Sequence, residues 1–170
     1  MAGTLTVQTL QGPSSGANAN KLLIPSGQTL YAAGHVVQVV HNSTTTSVAV
    51  GTTTYTDTTL SASITPTSSN SKVLIILTQH VYNPRYGGSL RILRDATSIF
   101  QSGAQYAIYN DAGINLGERT YQTLNYLDTP SSTSLITYKT QFAHYTGGTT
   151  SYMQESGYYQ SDITLLEIAQ

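Results

Sequence analysis

From His35 onward the chain breaks into short apolar and β-branched runs, each closed within a few positions by turn-forming residues. None has the length or the 3.6-residue period of a helix. Leu60-Ser-Ala-Ser-Ile64 alternates, so Leu60, Ala62 and Ile64 face one side of a strand. Val36-Val-Gln-Val-Val40 and Ser47-Val-Ala-Val50 read as further strands. Val73-Leu-Ile-Ile-Leu77 does not alternate, which predicts a central strand covered on both faces. Leu90–Arg94 and Ser98–Phe100 flank Asp95-Ala96-Thr97, a hairpin turn. Strands are also predicted over Gln105–Tyr109, Thr120–Leu127, Ser134–Tyr145, Thr150–Gln154 and Asp162–Ile168. Roughly eight to ten strands joined by short loops point to an antiparallel sandwich or barrel, and a jelly roll fits that number best. Parallel βαβ units need crossovers of about a dozen residues, usually helical, and no such segment is visible.

Composition bears on what the surface can do. Only 9% of the residues are charged, against 27 Thr and 19 Ser, where an ordinary globular domain carries about 25% charge. The net charge is −1, so the clustered cations that neutralise phosphates are missing and nucleic acid is not an expected partner. Lysine occurs only at positions 21, 72 and 139, which argues against a polybasic membrane patch. A near-neutral surface rich in Thr and Tyr favours association with other subunits. There is no cysteine, so disulfide and thiolate chemistry are excluded. The start, Met1-Ala-Gly-Thr-Leu-Thr-Val7, lacks the basic and apolar regions of an export signal.

Residues 1–34 have a different character and are predicted to form an extended N-terminal arm ahead of a β-domain over 35–170. Thr4–Leu10 gives a short strand signal, and Gln11–Asn20 is a run of turn formers. Lys21-Leu-Leu-Ile-Pro25 is a brief apolar stretch ended by proline. Such a segment buries too little to order itself, so it is expected to dock on a neighbour. Its apolar residues Leu5, Val7, Leu10, Leu22, Leu23, Ile24 and Leu30 are the expected contacts.

Catalytic and metal chemistry find little support. The eight acidic residues are scattered, most beside predicted turns, where Asp bonds its own backbone. Histidines 35, 41, 80 and 144 lack metal-binding spacing; His35 and His41 would stand about 20 Å apart on an extended strand. Gly12-Pro-Ser-Ser-Gly16 matches the hydrolase nucleophile pattern by letter, but no strand-to-helix turn surrounds it. No cofactor is expected, and the chain reads as non-enzymatic. Binding surfaces fare better. Tyr82, Arg85 and Tyr86 fall in a predicted loop over His80–Gly88, and Tyr158 and Tyr159 in a second aromatic loop, together a candidate surface for a glycan or protein neighbour. Tyr121, Tyr126, Tyr138 and Tyr145 suit either an interface between subunits or core edges.

Several segments carry a family resemblance. Gln11-Gly-Pro-Ser-Ser-Gly-Ala-Asn-Ala-Asn-Lys-Leu-Leu-Ile-Pro-Ser-Gly-Gln-Thr-Leu30, Gly34-His-Val-Val-Gln-Val-Val40 and Tyr55-Thr-Asp-Thr-Thr-Leu-Ser-Ala-Ser-Ile-Thr-Pro66 resemble segments of small bacteriophage virion proteins of phages infecting aquatic bacteria, tail-fibre-like in type. Asn70–Leu74, Arg91–Asp95, Leu127–Pro130 and Ile163–Ile168 extend the likeness over most of the chain. The family is in turn similar to trimeric jelly rolls of the tumour-necrosis-factor kind. The resemblance implies a virion protein assembled in the bacterial cytoplasm as a homotrimer. Its arm would meet the major capsid protein or a tail component. A capsid decoration or cement role is favoured over a tail-fibre or spike tip that binds a host-surface glycan, because the chain has no shaft of repeats or heptads.

Overall fold

The structure, a computed structural model, describes residues 11–19, 21, 23, 24, 26, 32–103, 108–110 and 117–170. The chain divides into two compact units, Met1–Tyr31 and Ala32–Gln170. In the first, the Ala19 N–H donates to the Gly16 carbonyl and the Lys21 N–H to that of Asn18, both at 3.1 Å. These consecutive tight turns are what the run of Gly, Ser and Asn predicts. Leu5, Val7, Leu10, Leu22 and Leu30 lie outside the described residues. Leu23 and Ile24 are described, and are 60% and 45% exposed.

The second unit is all-β. In chain order its described strands are β1 (Val36–Thr44), β2 (Val48–Val50), β3 (Thr56–Ile64), β4 (Lys72–Asn83), β5 (Tyr86–Arg94), β6 (Thr97–Gln101), β7 (Ile108–Asn110), β8 (Glu118–Asp128), β9 (Ile136–His144), β10 (Ser151–Met153) and β11 (Ser161–Ile168). A single 3₁₀ turn, Glu155–Gly157, is the one helical element among the described residues. In the first sheet β1 pairs β11, which pairs β4. β8 takes the whole other edge of β4, so β10 and then β2 continue from β4 beyond the end of β11. The second sheet runs β3-β9-β5-β6, with β7 also on β5. All pairs are antiparallel. The long strands alternate between sheets as the chain proceeds, giving a jelly-roll-like antiparallel sandwich.

The apolar layer lies between the sheets. Leu60, Ala62 and Ile64 of β3 are all buried, as their alternation requires, and meet Ile75 and Leu77 of β4 and Leu165 of β11 within one core. A polar belt crosses that layer. Gln79 Oε1 accepts from Thr58 Oγ1 at 3.1 Å and Thr140 Oγ1 at 2.9 Å, and Gln79 Nε2 donates to Ser161 Oγ at 3.1 Å. The Gln154 amide completes the belt when its nitrogen is set to donate to the Met153, Thr58 and Thr46 carbonyls, the orientation the network demands. Every polar group of this belt is satisfied, which is the condition for a buried network to stabilise rather than cost.

Three sequence expectations are corrected. Val73–Leu77 is central but is not covered on both faces: Val73, Ile75 and Leu77 are buried, whereas Leu74 is half-buried and Ile76 exposed. His80–Gly88 is not a loop. β4 runs through Asn83 and β5 starts at Tyr86, leaving only Pro84 and Arg85 between. The two glycines at the end of that segment serve close packing: a Cβ on Gly87 would run into the Ile108 carbonyl oxygen, and one on Gly88 into the Phe142 ring. Tyr138 is neither interfacial nor at an edge; it is fully buried in the core.

Candidate functional site

The outward face of the first sheet is set by strand register. Because side chains alternate, the residues paired with Leu74 and Ile76 point out with them. Val39 of β1 pairs Leu166 of β11, Leu166 pairs Leu74 of β4, and Leu74 pairs Leu127 of β8. A row of four aliphatic residues thus crosses all four long strands on the solvent side. Val39 is 59% exposed, Leu127 48% and Ile76, in the next row, 39%. Val36 and Ile168 extend the patch at one end. A bulge between Val36 and Gln38 lets both Val36 and Val39 face out, although they stand three positions apart, an odd offset that would put them on opposite faces of a regular strand. The same bulge turns Gln38 inward, where its amide donates to Glu167 Oε2 at 2.6 Å.

Further along this face the character becomes aromatic. His80 pairs Tyr121, and Tyr82 pairs Arg119 on one side and Tyr152 on the other. The Arg119 guanidinium lies 4.5 Å from the Tyr82 ring centre and forks onto Glu155, Nε to Oε2 at 2.6 Å and Nη2 to Oε1 at 2.9 Å. Gly117, at φ +54°, leaves room for the Tyr82 ring, 2.9 Å from where a Cβ would stand. The His80 imidazole stacks on Tyr159 at 4.0 Å and takes the edge of Tyr121 at 5.2 Å. Burial pushes its pKa down; the Glu155 charge opposes this and the Arg119 charge adds to it. An open pocket of about 440 Å³ beside this cluster is lined by Ser47, Tyr152, Glu155 and Ser156.

The predicted recognition residues therefore separate. Tyr82 and Tyr159 both join the aromatic cluster, and Tyr158 stands next to it, 87% exposed. Arg85 and Tyr86 belong to the corner that starts the second sheet: Tyr86 pairs Asn110, Arg85 lies over the Tyr86 ring at 4.8 Å, and His144 Nε2 bonds the Arg85 carbonyl at 3.1 Å. Sequence reasoning missed Arg119, Glu155 and Tyr152. The signal available was slight: Arg119 stands just ahead of the strand predicted over Thr120–Leu127, two positions from Tyr121, and nothing in the sequence sets either beside Tyr82.

The ionisable groups are mostly occupied structurally. Asp128 accepts from Arg94 Nη1 at 3.0 Å and from the Tyr138 hydroxyl at 2.7 Å. Asp57 binds Lys139 Nζ at 2.8 Å and the Gln141 amide; burial alone would raise its pKa, and these bonds hold it below the usual range. Asp95 accepts from the Thr137 N–H at 2.9 Å, bracing the β5–β6 hairpin at φ +53°. Among the described residues no group of three His, Asp or Glu side chains could hold a metal ion, and no helix is long and apolar enough to cross a membrane.

Fold and face together define an all-β sandwich with one charge-poor, apolar-to-aromatic sheet surface. No family model and no curated protein matches the chain. Among solved structures, the VP2 subviral particle of infectious bursal disease virus aligns at a TM-score of 0.46 and 13% identity, over 92% of this chain and 40% of that one. Dimeric latent PorU from Porphyromonas gingivalis aligns at 0.38 and 8%, over 89% and 15%. The Gx strain of infectious bursal disease virus aligns at 14% identity over 94% and 46%. The chain spans less than half the length of each.

Proposed function

We propose that the chain is a non-enzymatic structural protein of a bacteriophage virion, a homotrimeric capsid decoration or cement protein that docks through its N-terminal arm. The observation that carries this reading is the exposure of adjacent Leu23 and Ile24 in a small unit distinct from the sandwich. Two large aliphatic side chains side by side in water favour burial on another surface. The phage-protein resemblance of the arm and of Tyr55–Pro66 supports a virion as that surface. Three arms on one trimer would add avidity, so modest contacts suffice for firm attachment.

Deleting residues 1–33 tests the docking. The truncated sandwich should fold but fail to load onto particles, and loading at the wild-type level would end the proposal. Copy number per particle tests the location: a number scaling with the coat subunits supports decoration. A second reading, a tail-fibre or spike tip that binds a host glycan, draws on exposed Tyr158 and the pocket beside Tyr152 and Glu155. A copy number matching the tail, with glycan-array signal abolished by Tyr158→Ala, would favour it.

A further inference from the structure

We infer that the outward face of β1, β11, β4 and β8 is the surface through which copies of this chain associate with one another. Five of the large hydrophobic residues exposed on the sandwich, Val36, Val39, Ile76, Tyr121 and Leu127, lie on this one sheet face, and Tyr152 of β10 continues it beside Tyr82. Apolar residues scattered singly over a surface are ordinary, but a continuous register row joining four strands is not.

Size and charge both point to a second copy as the occupant. Four strands of 9, 8, 12 and 11 residues, spaced about 4.8 Å apart and rising about 3.3 Å per residue, give a face of about 630 Å². A stable interface buries about 800 Å² on each partner. The face carries few charges. Arg119 is paired with Glu155, which leaves Lys72 and Asp162 without ion-pair partners among the described residues. These two stand at opposite ends of the apolar rows, Lys72 beside Ile168 and Asp162 beside Thr78, about 20 Å apart along the strands. Two copies of this face running in opposite directions bring the Lys72 end of one to the Asp162 end of the other. One charge of each sign, placed at the two ends, makes the face complementary to itself. A foreign partner selected by charge would need a surplus of one sign, and the face has none.

This inference rests on the self-association in the proposed function and not on its threefold number, because two faces meeting in opposite directions make a twofold pair. The test uses the full chain, with mass from light scattering and sedimentation at micromolar concentration. Wild type should be oligomeric, and Val39→Glu with Leu127→Glu should raise the dissociation constant at least about tenfold in a protein that still unfolds cooperatively, because neither side chain is in the core; its melting temperature should lose the concentration dependence that association gives wild type. Lys72→Glu should weaken association, and Lys72→Glu combined with Asp162→Lys should restore it. A monomeric wild type would overturn the inference, as would Val39→Glu/Leu127→Glu protein that folds and keeps the wild-type mass. If that double variant fails to fold, the Lys72/Asp162 exchange decides: no loss and no rescue overturns the assignment. A dimeric mass sensitive to these substitutions supports the face and removes the trimer.

Discussion

The Tyr138 hydroxyl donates to Asp128 Oδ2 at 2.7 Å, joining β9 in one sheet to the end of β8 in the other. Arg94 on β5 completes the contact from the second sheet. Burial, then the bond to Asp128, pushes the phenol pKa well up, so the hydroxyl keeps its proton and stays a donor at neutral pH. Tyr138→Phe leaves a buried carboxylate oxygen short of a partner and should cost about 1–3 kcal/mol. Asp128→Ala strands both Arg94 and the phenol and should cost about 3–5 kcal/mol. Urea unfolding measures both, and an unchanged midpoint for Tyr138→Phe would show that the bond contributes nothing.

Glu167 is a buried carboxylate with no cation beside it. Burial would raise its pKa, but the Gln38 amide at 2.6 Å and the Thr67 N–H and hydroxyl, both at 2.8 Å, outweigh that and hold it below its ordinary value. The unfolded chain therefore takes up this proton first as pH falls. Stability from Glu167 is present above the ordinary carboxylate range and is lost as pH drops through the folded pKa. Glu167→Gln should flatten the acid limb of a melting-temperature profile while lowering stability at neutral pH. An acid limb as steep as wild type assigns the acid sensitivity to other groups.

His80 works in the same direction at higher pH. Its folded pKa lies below the unfolded value, so its contribution is complete above about 6.5 and falls away as pH drops below that. The slope can reach about 1.4 kcal/mol per pH unit for one proton. His80→Phe keeps an aromatic ring against Tyr159 and should remove that slope. Thermal melts from neutral to mildly acid pH would reveal it, and identical slopes for the two proteins would exclude His80 as the titrating group.

Gly87 and Gly117 should respond differently to alanine. A Cβ on Gly87 meets backbone of β7, which cannot yield without breaking the β5–β7 pair. A Cβ on Gly117 meets the far end of the Tyr82 ring. Gly87→Ala should cost about 3 kcal/mol or more, at the severe end of overpacking, while Gly117→Ala should cost about 1–2 kcal/mol, much of it from its left-handed backbone. Equal midpoints in denaturant would mean that β7 moves freely.

The sandwich was legible because local alternation reports burial on one face. Leu60, Ala62 and Ile64 show this, and so does β11, where Ile163 and Leu165 are buried and Thr164 and Leu166 are not. The outward face was not legible, because it depends on register. Val39, Leu74, Leu127 and Leu166 become neighbours only through pairings between strands far apart in sequence. The continuous run Val73–Leu77 reads as doubly covered when one of its faces is open, since an apolar surface awaiting a partner and a buried one have the same composition. The Tyr82–Arg119–Glu155 cluster was half visible: its aromatic members stood out, and its charged members looked like ordinary turn and strand-end residues.

The bulge at the start of β1 puts the two ends of that strand out of phase by one position. Gln38 reaches Glu167 and Val39 reaches the solvent only because the chain makes that half-step. Closing the bulge at unchanged chain length would set Gln38 on the same face as Val36 and turn Val39 inward, whereas deleting Val37 restores plain alternation and keeps Val36 outside and Gln38 on its carboxylate. One inserted residue thus sets the phase of a buried anchor, Gln38 on Glu167, and of an exposed apolar residue, Val39, at the same time.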